Sequence, residues 1–250
     1  MRRISTCLAV LGLAVLGLSA SASAAPVVTL KAKAVPISGF PGTGNILGAG
    51  AAVATEFTIT GTEYGGFPPP LIGVTVYLPA GTKLHPQGFV TCAPAALEKG
   101  GFKVCPKKSA AGPRGEATGR VSFGESHPEE TVGVYPFFAP GGGLEFWAEG
   151  TEPVSIEILS KGHFTTASAP FGPKFVAEVP LVESVPGALD ASINTIKVKV
   201  GAAYKQGKKT ISYGTLPKTC PKGGFPVKSE LMFLGGITST ASYKAPCPKK

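Results

Sequence analysis

The sequence predicts an all-β protein, an antiparallel β-sandwich of about eleven strands, and three observations carry that reading. Short runs rich in Val, Ile, Phe and Thr alternate apolar with polar residues, the pattern of a half-buried strand. Gly and Pro, 34 and 24 of the 250 residues, cluster between those runs and supply the turns. Beyond the first 24 residues, no segment longer than about eight residues repeats its apolar side chains at helical spacing.

The elements follow in chain order. "MRRISTCLAVLGLAVLGLSASASAA" has two arginines, an apolar core and a small-residue end at Ala22-Ser23-Ala24, the layout of a signal peptide cleaved after Ala24. The core is short for a spanning helix, so the mature chain is expected to be exported through the Sec route, without a membrane span. Cys7 stands at the front of that core, away from the cleavage site, which argues against a lipid anchor. Residues 25–250 then read as a single β-sandwich domain; the alternative is a boundary at "ESVPGALD", 183–190.

Strands are expected at "AVATEFTIT" (52–60), "LIGVTVYL" (71–78), "TGRVSF" (118–123), "VGVYPFF" (132–138), "LEFWAE" (144–149) and "VSIEIL" (154–159). They continue at "FVAEVPLV" (175–182), "INTIKVKV" (193–200) and "TISYG" (210–214), and end in a hairpin of "PVKSELMFL" and "ITSTASY" turned by Gly235-Gly236. Within them, Val53, Thr55, Phe57 and Ile59 share a face, as do Ile196, Val198 and Val200, with Lys197 and Lys199 opposite. A short helical turn is expected to start at Pro94 and end at Gly100.

Four cysteines remain in the mature chain, an even set in an oxidising compartment. Three pairings are possible; the grouping favours Cys92 with Cys105 and Cys220 with Cys247. On the loop-entropy view such staples contribute about 3 and about 3.6 kcal/mol. Zinc would need closer Cys or His spacing than this chain offers, since His85, His127 and His163 are scattered. No cofactor is therefore expected.

Charge narrows the partners. The chain carries +9 formally and, without Arg2 and Arg3, +7. Arg114 and Arg120 are the remaining guanidinium groups, and lysines lack the bidentate fork that phosphate recognition prefers. Nucleic acid is not expected as a partner; loose attraction to an anionic cell-wall polymer is.

Catalytic patterns are incomplete. Asp190 is the sole aspartate, and Asn45 and Asn194 the sole asparagines, too few for EF-hand or repeat-type calcium loops. "FGESHP" (123–128) has Pro128 where a nucleophile elbow needs its second glycine. "GFPGTGN" (39–45) has Asn45 where a phosphate loop needs lysine. Glu145, Glu149, Glu152 and Glu157 around Trp147 are the best pair source for glycoside hydrolysis, but glutamates at such spacing fit the solvated face of a sheet better. The expectation is a non-enzyme with no catalytic residues. A shallow polysaccharide platform of Trp147, Tyr135, Phe137 and Phe138 is the binding alternative, against which the same residues serve as core.

"VYLPAGTKLHPQGFVTC", "VCPKKSAAGPRGEATG" and "TCPKGGFPV" together resemble a group of exported, disulfide-stapled all-β proteins from high-GC actinobacteria, with no assigned activity. The resemblance implies a secreted β-sandwich and carries no catalytic residue. The function expected from all of this is a non-catalytic structural or adhesive protein of the cell envelope, with envelope polysaccharide binding as the alternative.

Overall fold

The run Ala52–Thr60 shows how the chain builds its walls: Phe57 and Ile59 are buried while Glu56 and Thr58, on the opposite side of the backbone, are half-exposed. A strand of this kind needs a partner for its backbone groups along both edges and a covered apolar face. A computed structural model describes residues 25–122, 126–183 and 190–248 and supplies both. The expected signal peptide, residues 123–125 of the elbow-like segment and most of the alternative boundary lie outside the described residues.

Fifteen strands are described: β1 (Val27–Val35), β2 (Ala52–Thr60), β3 (Leu71–Pro79), β4 (Lys83–Leu84), β5 (Gly115–Arg120), β6 (Glu129–Phe138), β7 (Leu144–Gly150) and β8 (Ile156–Thr166). They continue with β9 (Phe171–Glu178), β10 (Ser192–Val200), β11 (Ala203–Gln206), β12 (Lys209–Ser212), β13 (Gly214–Thr215), β14 (Phe225–Phe233) and β15 (Ile237–Ala245). One short helix, α1 (Pro94–Gly100), follows β4. Pro94 sits at its first turn, where a missing N–H costs nothing.

Eleven strands form one antiparallel sheet in the order β1-β2-β10-β5-β6-β7-β8-β9-β3-β14-β15. Its two edge strands come side by side, where Ser239 Oγ donates to the Pro26 carbonyl (2.5 Å), so the sheet rolls into a nearly closed barrel. The layers of the expected sandwich are thus halves of one sheet. β10 lies between β2 and β5, and β3 between β9 and β14, so strands from both sides of 183–190 interleave. Among the described residues no helix is long and apolar enough to cross a membrane. The barrel itself has Lys, Glu and Thr on its outside and apolar residues inside, the reverse of a membrane-spanning barrel.

The sheet departs from expectation in four places. β1, "VVTLKAKAV", was not among the expected strands, because its inward positions include two alanines, a weak apolar signal. β5 runs three residues earlier than "TGRVSF": Gly115 and Gly119 lie against the β10 backbone, and Val121 leaves the ladder to donate to the Pro128 carbonyl. β9 ends at Glu178, ahead of Pro180, which has no N–H to offer a ladder. "TISYG" contributes β12, which pairs with β11 in a separate hairpin rather than in the large sheet.

Both disulfides have the expected partners, with Cα separations of 5.4 Å for Cys92–Cys105 and 6.0 Å for Cys220–Cys247. The second ties the outer ends of β14 and β15, which pair over nine residues and turn through Gly235 and Gly236, both at positive φ. The first closes the excursion that carries α1 and holds it against the outside of β6, β7 and β8.

Candidate ligand-binding lumen

Alternation directs every second residue of the eleven strands inward, and the result differs around the circumference. Where β1, β2, β3, β14 and β15 converge, Leu30, Phe57, Ile59, Leu231 and Phe233 interlock and are all buried. Along β5 to β8 the inward residues are smaller or set further apart. Ala117 and Gly119 alternate on β5, Ala148 follows Phe146 on β7, and Ser160 follows Ile158 on β8. Val132, Phe146, Ala148 and Ile158 point inward and yet remain only half-buried.

The reason is a cavity of about 290 Å³ between the two flanks, lined almost wholly by apolar side chains from strands on both. Well-packed interiors hold few voids larger than a water molecule. This one is roughly twice the ~150 Å³ that accommodates benzene in an engineered apolar cavity and reaches the lower end of the ~300–1,000 Å³ typical of ligand pockets.

One end of this lumen is closed by an aromatic cluster. Phe89 packs on Phe138 (ring centroids 4.7 Å apart) and edge-on against Tyr213 (5.5 Å). Tyr213 Oη donates to the Gly142 carbonyl at 2.7 Å, and burial pushes its phenol well above the usual range. At the other end Ser192 Oγ donates to the Pro68 carbonyl (2.7 Å), while the hydrogen bond between Thr118 Oγ1 and Thr195 Oγ1 (2.7 Å) and the Arg120–Glu129 pair (3.6 Å) stand on the alternate, outward strand positions.

Glu130 is the exception at that end. It stands on the inward face of β6 with Val132 and Val134, is 3% exposed, and lines the lumen. Its Oε2 accepts from the Val154 N–H (3.3 Å), whereas Oε1 is buried without a hydrogen-bond partner. Burial raises its pKa, partly countered by the backbone donors at Val154 and Glu152. Room for the carboxyl exists because position 150 on β7 is glycine; a Cβ there would collide with Oε1.

The aromatic residues proposed from the sequence as a platform lie elsewhere. Trp147, Phe137 and Phe138 are 3%, 5% and 2% exposed, so no open stacking surface is formed. Phe138 faces the lumen end. Trp147 and Phe137 face outward beneath α1, packed with Leu97, Leu159 and the Cys92–Cys105 disulfide. Tyr135 is half-buried because Phe102 stacks on it at 4.0 Å. The physical reason is the stapled excursion: its apolar side chains cover this face, which sequence alternation alone leaves looking solvent-exposed. Of the glutamates near Trp147, Glu149 accepts from its indole Nε1 (3.1 Å). Glu145 is 2% exposed, and burial is the main cause of its pKa being pushed up to about 7.

His127 packs against Phe67 (5.0 Å between centroids), and Ser122 Oγ lies 3.4 Å from its Nδ1. Thr43 closes the "GFPGTGN" loop on itself, accepting from the Ile37 N–H (2.8 Å) and donating to the Phe40 carbonyl (2.7 Å).

A second feature lies on the outer surface. Lys31 and Lys197 both stand opposite Glu56, and Lys33 and Lys199 both stand opposite Ala54, with Arg114 bordering the same groove. The first row alternates in sign; the second is basic.

Sequence reasoning missed the lumen and Glu130. The available signal was the run of small inward residues on β5 to β8, together with a glutamate at an inward position of β6. No family model matches the chain, no curated protein matches it, and no solved structure matches it.

Proposed function

We propose that this chain is an exported, non-catalytic binding barrel that takes up a small apolar molecule in its lumen. The observation that carries this reading is the cavity of about 290 Å³, walled by inward side chains that remain half-buried. Leaving apolar surface facing a void forfeits dispersion contacts and hydrophobic burial, and a ligand restores both. Two disulfides, the signal-peptide layout of the first 24 residues and the resemblance to exported proteins support an extracellular location.

Methyl-resolved NMR of the mature protein tests this with 1-octanol as probe. Saturable shifts concentrated on Val132, Val134 and Ile158 are expected. Unchanged lumen methyls at saturating probe would end the reading.

A second reading is favoured by the row formed by Lys33, Lys199 and Arg114: the outside of the same barrel attaches it to an anionic envelope polymer. Exposed charge contacts are screened by salt. Co-sedimentation with cell walls should therefore occur at low salt, fall as salt rises, and be weakened in Lys33→Glu/Lys199→Glu. Binding that ignores both would overturn this reading.

A further inference from the structure

Two polar side chains interrupt the apolar walls of the lumen at mid-strand. Thr55 shares the inward face of β2 with Phe57 and Ile59, and Ser160 shares the inward face of β8 with Ile158 and Phe164; both line the cavity and both are half-buried. The other inward hydroxyls are committed or sealed. Ser192 and Ser239 donate to the carbonyls of Pro68 and Pro26, and Ser229 Oγ is closed off inside the packed flank. Thr55 Oγ1 and Ser160 Oγ have no hydrogen-bond partner, and neither is among the buried polar atoms shut away from water, so each presents its oxygen to the lumen. A hydroxyl facing an apolar cavity without a partner costs the chain free energy that a bound oxygen recovers.

Their placement adds geometry. In the order β2-β10-β5-β6-β7-β8 the two strands stand five places apart in a sheet of eleven that rolls nearly closed, so the hydroxyls lie on opposite walls. The charges that border the lumen do not face into it. Lys33 and Arg120 occupy outward strand positions, Glu130 Oε2 accepts from the Val154 N–H, and Glu130 Oε1 is closed to water.

We propose that Thr55 Oγ1 and Ser160 Oγ are the polar contacts of the lumen, and that its ligand is a neutral, mainly hydrocarbon molecule bearing a hydroxyl or carbonyl oxygen on each of two opposite sides. This rests on the lumen being a binding site and adds to it the chemical class of the occupant. Each wall hydroxyl donates to one ligand oxygen, and the hydrocarbon between those oxygens fills the cavity. Scaled from the cavity that holds benzene, the ligand has about a dozen heavy atoms. An ionised group is excluded because it would lose its water with no opposite charge to meet it.

Calorimetric titration of the disulfide-intact mature protein at pH 8 with 1,8-octanediol, 1-octanol and octanoate tests this. The diol has an oxygen for each wall. 1-Octanol, with one oxygen, keeps whichever contact remains and is the reference. Thr55→Val and Ser160→Ala each delete one hydroxyl with little change of shape, and each should lower the ratio of diol to octanol affinity about fivefold, the worth of one hydrogen bond. Thr55→Ser, which retains the hydroxyl, should keep the wild-type ratio. Octanoate should bind the wild-type protein more than about a hundredfold more weakly than 1-octanol.

A ratio unchanged in both deletion variants would overturn the contacts while leaving the lumen as a binding site. A fall in one variant alone would overturn the two-sided ligand. Octanoate binding as tightly as 1-octanol would overturn its neutrality. Binding of neither alcohol would overturn the contacts and the lumen reading together.

Discussion

The two flanks of the barrel are written in the same alternating code and end in opposite conditions. On the flank of β1, β2, β14 and β15, inward Phe57, Ile59, Leu231 and Phe233 meet across the interior and exclude solvent. On the flank of β5 to β8, inward alanines, glycines and a serine leave the remaining apolar residues facing a void. Alternation decides which face turns inward; side-chain volume then decides whether the interior is filled. The difference teaches that a strand pattern specifies a wall, and that the contents of the barrel are specified separately.

Truncating one residue on each flank gives the largest expected effect and breaks the comparison if it is wrong. Leu231 is fully buried, so Leu231→Ala should cost about 4 kcal/mol, the lost transfer free energy plus a new cavity. Ile158→Ala enlarges a void that already exists and should cost about 1 kcal/mol. Urea midpoints of the two variants measure the difference. Equal costs would mean that the hollow flank collapses in solution.

Next in size is the staple on the outside of the hollow flank. Removing Cys92–Cys105 should cost about 3 kcal/mol on the loop-entropy view. The packed flank's staple lies beyond a nine-pair ladder, whereas this one holds α1 and its neighbouring turn over Trp147. Because Trp147 is the sole tryptophan, its emission reports the cover directly. A Cys92→Ser/Cys105→Ser variant should show red-shifted emission and iodide quenching while the far-UV strand signal persists. An unchanged emission maximum would mean that packing alone holds the cover down.

Much of this was legible in the sequence and some was not, for reasons that differ by residue. The faces of β2 and β10, the terminal hairpin, the helical turn at Pro94 and both disulfides follow from alternation, turn chemistry and cysteine grouping. β1 escaped because Ala32 and Ala34 mark an inward face weakly. The burial of Trp147 and Phe137 escaped because their cover comes from a non-strand segment some forty residues earlier in the chain. The lumen escaped because it is a property of volumes summed across strands that are distant in sequence. β10, for instance, completes a wall begun by β2 and β5.

The same wall carries two buried carboxyls, and the outer one predicts a pH effect of intermediate size. Glu145 lies under the cover, where burial raises its pKa from 4.5 to about 7, Lys161 lowers it in part and Glu98 raises it further. Between those values the folded protein holds a proton that the unfolded chain has released, so stability falls as pH rises from about 4.5 to about 7 and levels off above that. The fall is of order 2–3 kcal/mol. Glu145→Gln should remove the slope and leave the variant more stable than wild type at pH 8. Urea titrations at pH 5 and pH 8 measure both. A slope that survives in the variant would assign the pH dependence to other groups.

The smallest expected change in stability sharpens the comparison most. Ala148 faces the lumen from β7 and is half-buried, with empty space where a larger side chain would go. In a filled core, Ala→Phe is overpacking and typically costs ~1–3 kcal/mol. On the hollow flank the added ring enters space already present and gains burial at about 25 cal/mol per Å², so Ala148→Phe should shift stability by less than about 1 kcal/mol in either direction. Its effect on binding runs the other way. A phenyl ring occupies a large share of a 290 Å³ cavity, and 1-octanol affinity should fall more than tenfold while the fold is retained. The counterpart Ser229→Phe, at a fully buried position between Val227 and Leu231 on the inward face of β14 and outside the lumen lining, should be destabilising and is the control. If the two substitutions cost the same, the flanks are equally filled and the lumen is not a space the protein keeps open.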